Sequence, residues 1–163
     1  NRFKKNNISP IKKQTLERLS ENFYLIPTNK KRNSDSVLSK IKNNQESTEK
    51  IIEIRNIAVK FIEFEDQRDY KIEEIFNNSV RDSWLIKQSM SQIMNSTLKE
   101  QYELINKLIP NNWIRLIGAG NGGYFLVSSK IKQEKILDLS TKNGLKGIFK
   151  AKPSKQGLST FSI

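Results

Sequence analysis

The chain has 163 residues, 36% of them hydrophobic, with no cysteine, no histidine and a formal net charge of +12 at pH 7. That composition excludes disulfides, thiol nucleophiles, Cys or His zinc sites and any catalytic triad built on histidine, leaving carboxylate, lysine, hydroxyl and backbone chemistry. The length suits one compact domain or one half of a two-domain protein, and no apolar stretch reaches the roughly 18 residues that a transmembrane helix needs.

Taken in chain order, Arg2 to Ile11 reads as an edge strand closing at Ser9-Pro10. Leu16 and Leu19 stand at helical spacing and predict a short helix over 12–22. Phe23-Tyr24-Leu25-Ile26 is a β-prone apolar run stopped by Pro27. After the polar turn Thr28 to Asp35, a second short helix is expected on Val37, Leu38 and Ile41. A long helix should start near Ser47 or Thr48 and run to about Phe64, burying the stripe Ile51, Ile54, Ala58 and Phe61. A shorter helix is expected over Lys71 to Ser79, and a third from Asp82 or Ser83 carrying Trp84, Leu85, Gln88 and Met94. Asn95-Ser96-Thr97 recaps the chain, and Leu98, Tyr102, Ile105 and Ile109 form one apolar stripe that ends at Pro110.

Trp113 to Leu116 and Tyr124 to Val127 then read as strands on either side of a glycine loop, an antiparallel pair. Lys132 to Lys142 reads as a helix that Gly144 would cap, and Leu145 to Lys152 and Leu158 to Ile163 as closing strands. The sum is an α+β fold, a small antiparallel sheet with a cluster of helices.

The sharpest local signal is the loop Gly118-Ala119-Gly120-Asn121-Gly122-Gly123. Glycines permit positive φ, so successive N–H groups can point into one concavity, and the missing side chains let a phosphate or sugar approach the backbone. A hairpin turn in which glycine serves geometry alone has equal claim on the spacing. The run is not a Walker A loop, because no Gly-Lys-Ser/Thr follows. The match to G-x-G-x-x-G fails because Tyr124-Phe125-Leu126-Val127 reads as strand where a dinucleotide fold requires helix.

The stretch Trp113 to Val127 resembles the third motif of the GHMP kinases, roughly Lys-x-x-Gly-Ala-Gly-Gly-Gly-Gly-Phe. Two further segments resemble the heptose 7-phosphate kinase branch in the same order. Tyr24 to Ser34 looks like its Leu-x-Tyr-Thr-Gly-x-x-Arg-x-Ser segment, and Trp84-Leu85-Ile86-Lys87 with Met90-Ser91 is similar to its Trp-x-x-Lys-x-x-(Leu/Met)-Ser helix. Gly147 to Ile163 resembles that branch's closing strands. Departures are Asn121 and Asn29 where glycine is usual, and Arg115 where a lysine is usual. Asparagine is the next best residue for a left-handed backbone.

The resemblance implies a ferredoxin-like C-terminal domain of a sugar kinase over residues 1–163, its ATP-binding N-terminal domain lying outside this chain. It implies ATP and Mg2+ held mainly by that missing domain, a sugar phosphate as the small-molecule partner, a cytoplasmic location, and no catalytic residue or metal ligand within this chain. It implies phosphate or substrate contacts from Gly118, Ala119, Gly120, Asn121, Gly122 and Gly123, and from Arg32 and Lys87. Each cation also reads as a solvated surface charge. Trp84 reads as core, and Glu63, Glu65, Asp66 and Asp69 as a solvated helix end.

A nucleic-acid or interaction domain on a similar sheet is the competing reading, as is a sugar-binding relative that no longer transfers phosphate. Residues 1–50 carry 12 basic and 5 acidic side chains, residues 51–110 carry 8 and 10, and residues 111–163 carry 9 and 2. That scatter, with no groove-reading motif and no aromatic-basic strand, argues against nucleic acid as the main ligand.

Overall fold

The computed structural model of the chain describes residues 12–30, 45–66, 71–90, 93–117, 122–145 and 147–152. Among these, the helices are α1 (Lys13–Ser20), α2 (Gln45–Asp66), α3 (Ile72–Ser89), α4 (Ser96–Leu108) and α5 (Gln133–Lys142). The strands are β1 (Phe23–Pro27), β2 (Trp113–Ile117), β3 (Tyr124–Ser128) and β4 (Phe149–Lys150). The strands form one sheet of order β2-β3-β1-β4, antiparallel throughout. With α2 to α4 connecting β1 to the β2–β3 hairpin and α5 connecting β3 to β4, this is the split βαβ plan of ferredoxin-like folds. The α+β expectation and the hairpin across the glycine loop both hold.

Each strand alternates, so the sheet has two apolar faces. Tyr24, Ile26, Ile114, Leu116, Phe125 and Val127 point to one, where they bury Leu98 and Ile105 of α4 and Ile136 of α5. The other face carries Phe23, Trp113 and Leu126, which pack with Leu19 of α1, Phe61 of α2, and Ile72 and Phe76 of α3. Phe23 and Trp113 meet edge to face at 5.1 Å, as do Phe61 and Phe76 at 5.3 Å, a geometry that aligns ring edges with ring faces. The α2–α3 hairpin thus lies against the β2 side of the sheet.

Local chemistry sets the element ends. The Asn95 side chain accepts a hydrogen bond from the Leu98 N–H at 3.0 Å, the N-cap of α4. Gly144, at φ 75°, turns the chain out of α5.

Three expectations need correction. The break expected after Ser79 is absent, and α3 runs unbroken from Ile72 to Ser89. Asn77 and Asn78 spend their side chains on Trp113 Nε1 and Arg81, and so do not compete with the helix backbone. The stripe on α2 is also rotated: Ile51 is 50% exposed, while Ile54, Ile57 and Phe61 turn toward α3. Leu85 is likewise exposed, and Met94 lies beyond the end of α3. The closing strand expected over 145–152 shortens to Phe149–Lys150. The elements expected at 2–11, on Val37 to Ile41 and at 158–163 lie outside the described residues.

Candidate functional site

The β2–β3 hairpin opens at the end of the sheet where β1 also finishes, because Pro27 and Ile117 both pair with Tyr124. There the chain just after β1 is fastened to the exit of the glycine loop. The Thr28 N–H and the Thr28 hydroxyl both donate to the Gly123 carbonyl, each at 3.0 Å. The same hydroxyl oxygen lies 3.4 Å from the Lys30 N–H, which donates to it. Thr28 is 4% exposed, so these bonds stand in a low-dielectric setting where they are hard to replace with water.

The backbone around this clamp uses the conformations that the sequence suggested. Asn29 has φ 53°, the left-handed region that a residue other than glycine enters at a cost. Gly122 and Gly123 have φ 155° and 105°. Gly147, at φ 75°, sits so close that a Cβ on it would lie 3.3 Å from Pro27 Cγ. Gln101 of α4 donates from Nε2 to the Pro27 carbonyl at 3.0 Å. Three separate stretches of chain, at Gly123, Gln101 and Gly147, therefore converge on the Pro27–Asn29 corner and fix the frame from which the glycine loop leaves. Gly118, Ala119, Gly120 and Asn121 lie outside the described residues, as does Arg32.

Lys87 is brought to the same end of the sheet by the direction of α3. Near the start of β2, Trp113 Nε1 donates to Asn77 Oδ1 at 2.8 Å. From Asn77 to Lys87 the helix advances about 15 Å, and β2 from Trp113 to Ile117 advances about 13 Å. Just past Lys87, Gln88 to Met90 line one pocket with Lys99 and Tyr102, on either side of the Gln101 that bonds Pro27, so this end of α3 lies toward the Pro27 end of the sheet. Lys87 is half-buried. Burial lowers its pKa, and the nearby charge of Arg115 lowers it further. Arg115, on β2, is half-buried too, and burial lowers its pKa.

Trp84, read from the sequence as core, is 2% exposed and packs against Tyr102. Thr28 and Gln101 carry the frame and Arg115 lies near Lys87, yet none of the three stood out from the sequence as a site residue. Thr28 had a signal in its motif, Arg115 in its departure from the expected lysine, and Gln101 none. Among the described residues no three acidic side chains gather as a metal cage, and no helix is long and apolar enough to cross a membrane.

No family model matches the chain, and no curated protein matches it. Solved structures do. A mevalonate kinase crystal structure aligns with TM-score 0.60 at 20% identity, covering 86% of this chain and 43% of the other. The Methanococcus jannaschii mevalonate kinase gives 0.59 at 18%, covering 83% and 41%. The L. major mevalonate kinase in complex with R-mevalonate gives 0.57 at 12%, covering 78% and 40%. The chain has the fold of part of these mevalonate kinases. It spans well under half the length of each.

Proposed function

We propose that this chain is the C-terminal, substrate-holding half of an ATP-dependent kinase that acts on a sugar phosphate of the heptose phosphate type. The observation that carries the reading is the clamp. Thr28, in a segment like one of the sugar kinase branch, is doubly bonded to Gly123, in a loop like the third GHMP motif, with Lys87 of the third similar segment at the same end of the sheet. Segments spread over the sequence meet where a common ligand would lie.

Phosphoryl transfer is mostly positioning and charge stabilisation. Within that division of labour, the N–H groups of the Gly118–Gly123 loop and the charges of Lys87 and Arg32 hold the phosphorylated acceptor. The clamp fixes Gly123 before the ligand arrives, which lowers the cost of ordering that residue on binding. ATP and Mg2+ belong to the domain proposed upstream. The described residues of this chain offer no metal cage, so they are assigned no step through the ion. The reading implies a cytoplasmic enzyme.

The test is ADP release by the protein that includes the preceding domain, with ATP, Mg2+ and a panel of sugar phosphates, with mevalonate as a comparison. Turnover on a sugar phosphate is expected. Gly122→Val should then lose about 100-fold in rate, through lost positioning, while the protein stays folded. Strain at one such site costs on the order of 1–3 kcal/mol. Turnover on mevalonate alone would overturn the substrate class, and unchanged turnover in Gly122→Val would make the loop a plain turn.

A further inference from the structure

Trp84 is buried, and its indole Nε1 has no hydrogen-bond acceptor among the described residues. Buried polar groups are almost always bonded, so an unpaired N–H in a core is a place to look for a ligand. The other tryptophan, Trp113, shows the ordinary case, its Nε1 donating to Asn77 Oδ1. Trp84 lines a cleft of about 340 Å³ between α3, α4 and the start of β2. That volume is near the lower end of the roughly 300–1,000 Å³ of small-molecule pockets. Arg81, Trp84 and Leu85 stand at i, i+3 and i+4, so α3 turns all three to one face, and Tyr102 and Asn106 stand one turn apart on α4. The cleft lies at the other end of the sheet from the glycine loop. Trp113, which also lines it, is the first residue of β2, roughly 13 Å along the strand from Ile117.

No carboxylate lines this cleft, and its one charged residue is Arg81. Arg81 donates to two neutral oxygens, the Asn112 carbonyl at 2.8 Å and Asn78 Oδ1 at 3.3 Å. Among the described residues it forms no ion pair. A guanidinium carries five N–H donors and no acceptor, and an indole carries one donor and no acceptor. On α4, Asn106 Oδ1 already accepts from Asn111 Nδ2, which leaves the Asn106 amide group to donate. The cleft therefore offers positive charge and spare donors, and the complementary group is a pure acceptor. An ionised carboxylate is that group, acceptor-only on both oxygens, and its bonds to a guanidinium are charge-assisted. The walls carry three aromatic residues, Trp84, Tyr102 and Trp113, with Leu85 and Ile114. A bare inorganic anion leaves these walls unused, whereas a ring meets them edge to face or offset.

We propose that this cleft binds a small aromatic carboxylate, its ring among the cleft walls and its carboxylate held by Arg81 and the Trp84 N–H. It is a second site, independent of the kinase reading and of the glycine loop. Trp84 Nε1 is closed off from solvent in this state, so the ligand enters by moving an outer wall. Leu85, 56% exposed, and the exposed Arg81 are the side chains with room to swing.

The experiment follows the two indole N–H signals of the 15N-labelled protein by NMR while sodium benzoate is added at constant ionic strength. The Trp84 signal, assigned by its loss in Trp84→Phe, should move downfield and saturate as its N–H gains a charged acceptor. Benzamide has the shape without the charge, and acetate has the charge without the ring. Each should bind about 10-fold more weakly than benzoate or worse. Arg81→Gln, at an exposed position, should weaken benzoate binding by roughly 10- to 100-fold, the effect of losing a charge-assisted hydrogen-bonding partner. Trp84→Phe keeps a ring but loses the donor, and about 10-fold weaker binding is expected. If that variant loses amide dispersion, Arg81→Gln decides alone. The proposal is overturned if the Trp84 signal stays in place throughout the titration, which is an N–H served by water alone. It is equally overturned if benzamide or acetate binds as benzoate does, or if folded Arg81→Gln binds benzoate as the parent does. The readout is binding, so each of these outcomes leaves the kinase reading to its own turnover test.

Discussion

At the scale of single residues, the corner at Pro27–Asn29 rests on backbone conformations that tolerate few substitutions. Gly144 and Gly147 share φ 75°, but a Cβ on Gly144 would meet nothing within 4 Å, while one on Gly147 would press on Pro27 Cγ at 3.3 Å. Both pay the left-handed penalty of about 1–2 kcal/mol when changed to alanine, so their difference isolates the crowding. Gly147→Ala should lower the thermal midpoint further than Gly144→Ala, each kcal/mol counting for roughly 2–4 °C in a chain of this size. Equal midpoints would mean that β4 simply moves away from Pro27. Lys87 makes a second prediction at this scale. Its folded pKa is lowered, chiefly by burial, so its charge opposes folding at neutral pH. As pH rises from the lowered folded value toward the ordinary lysine value, the unfolded chain holds more protons than the folded one, and unfolding free energy rises. Lys87→Met lacks this term. The stability gap between parent and variant, measured by urea unfolding at pH 7 and pH 10, should therefore move in the parent's favour at pH 10. A gap that stays constant would show that Lys87 titrates as an ordinary exposed lysine.

At the scale of elements, α3 is the piece that the sequence hides and the structure explains. The sequence suggests one helix ending at Ser79 and another starting at Asp82 or Ser83, yet the helix is continuous and Asn77 is bonded to an indole 36 residues away, 2.8 Å from Trp113 Nε1. That bond ties the helix to the start of β2 and sets the phase that carries Lys87 to the other end. Asn77→Ala should leave a buried indole N–H without its partner and cost about 1–3 kcal/mol. Asn77→Ala combined with Trp113→Phe removes donor and acceptor together, so the loss of Asn77 should cost less in the Trp113→Phe background than alone. A double-mutant cycle by urea unfolding measures the coupling, and full additivity would dismiss the bond. The strands were legible because local signals bound them: Pro27 stops β1, and glycines separate β2 from β3. The phase of α2 was not legible, because Ile51, Ile54, Ala58 and Phe61 make as good a stripe as Ile54, Ile57 and Phe61, and α3 chooses between them. The same holds for the site. Glycine and asparagine at strained positions announce themselves in sequence, but the Thr28–Gly123 bonds span 95 residues and the Gln101–Pro27 bond 74, and no local pattern encodes either.

At the scale of the whole molecule, the net charge of +12 keeps a nucleic-acid reading in play, and the sheet decides how to test it. Ferredoxin-like sheets that read single strands do so by stacking bases on aromatic side chains of an open face. Here one face is covered by α4 and α5, and on the other Phe23 and Trp113 are buried in an aromatic cluster with Phe76. Among the described residues, the exposed aromatics of that second face are Tyr124 on β3 and Phe149 on the edge strand β4, with Leu25 and Pro27 of β1 between them. Two such rings, two strands apart, make no platform for successive bases. Binding should therefore come from phosphate contacts alone, indifferent to sequence and to strandedness, and should weaken steeply with salt. A chain making even a handful of such contacts loses about 10³-fold or more between 50 and 200 mM salt. Fluorescence anisotropy with a random duplex and a random single strand at those salt concentrations measures it. Both ligands should bind alike at low salt and be released together at the higher. A single-strand preference that survives 200 mM salt and disappears when Tyr124 and Phe149 are both changed to alanine would overturn this. The open margin of the sheet would then be a base-stacking surface after all, and the basic ends of the chain its electrostatic guide.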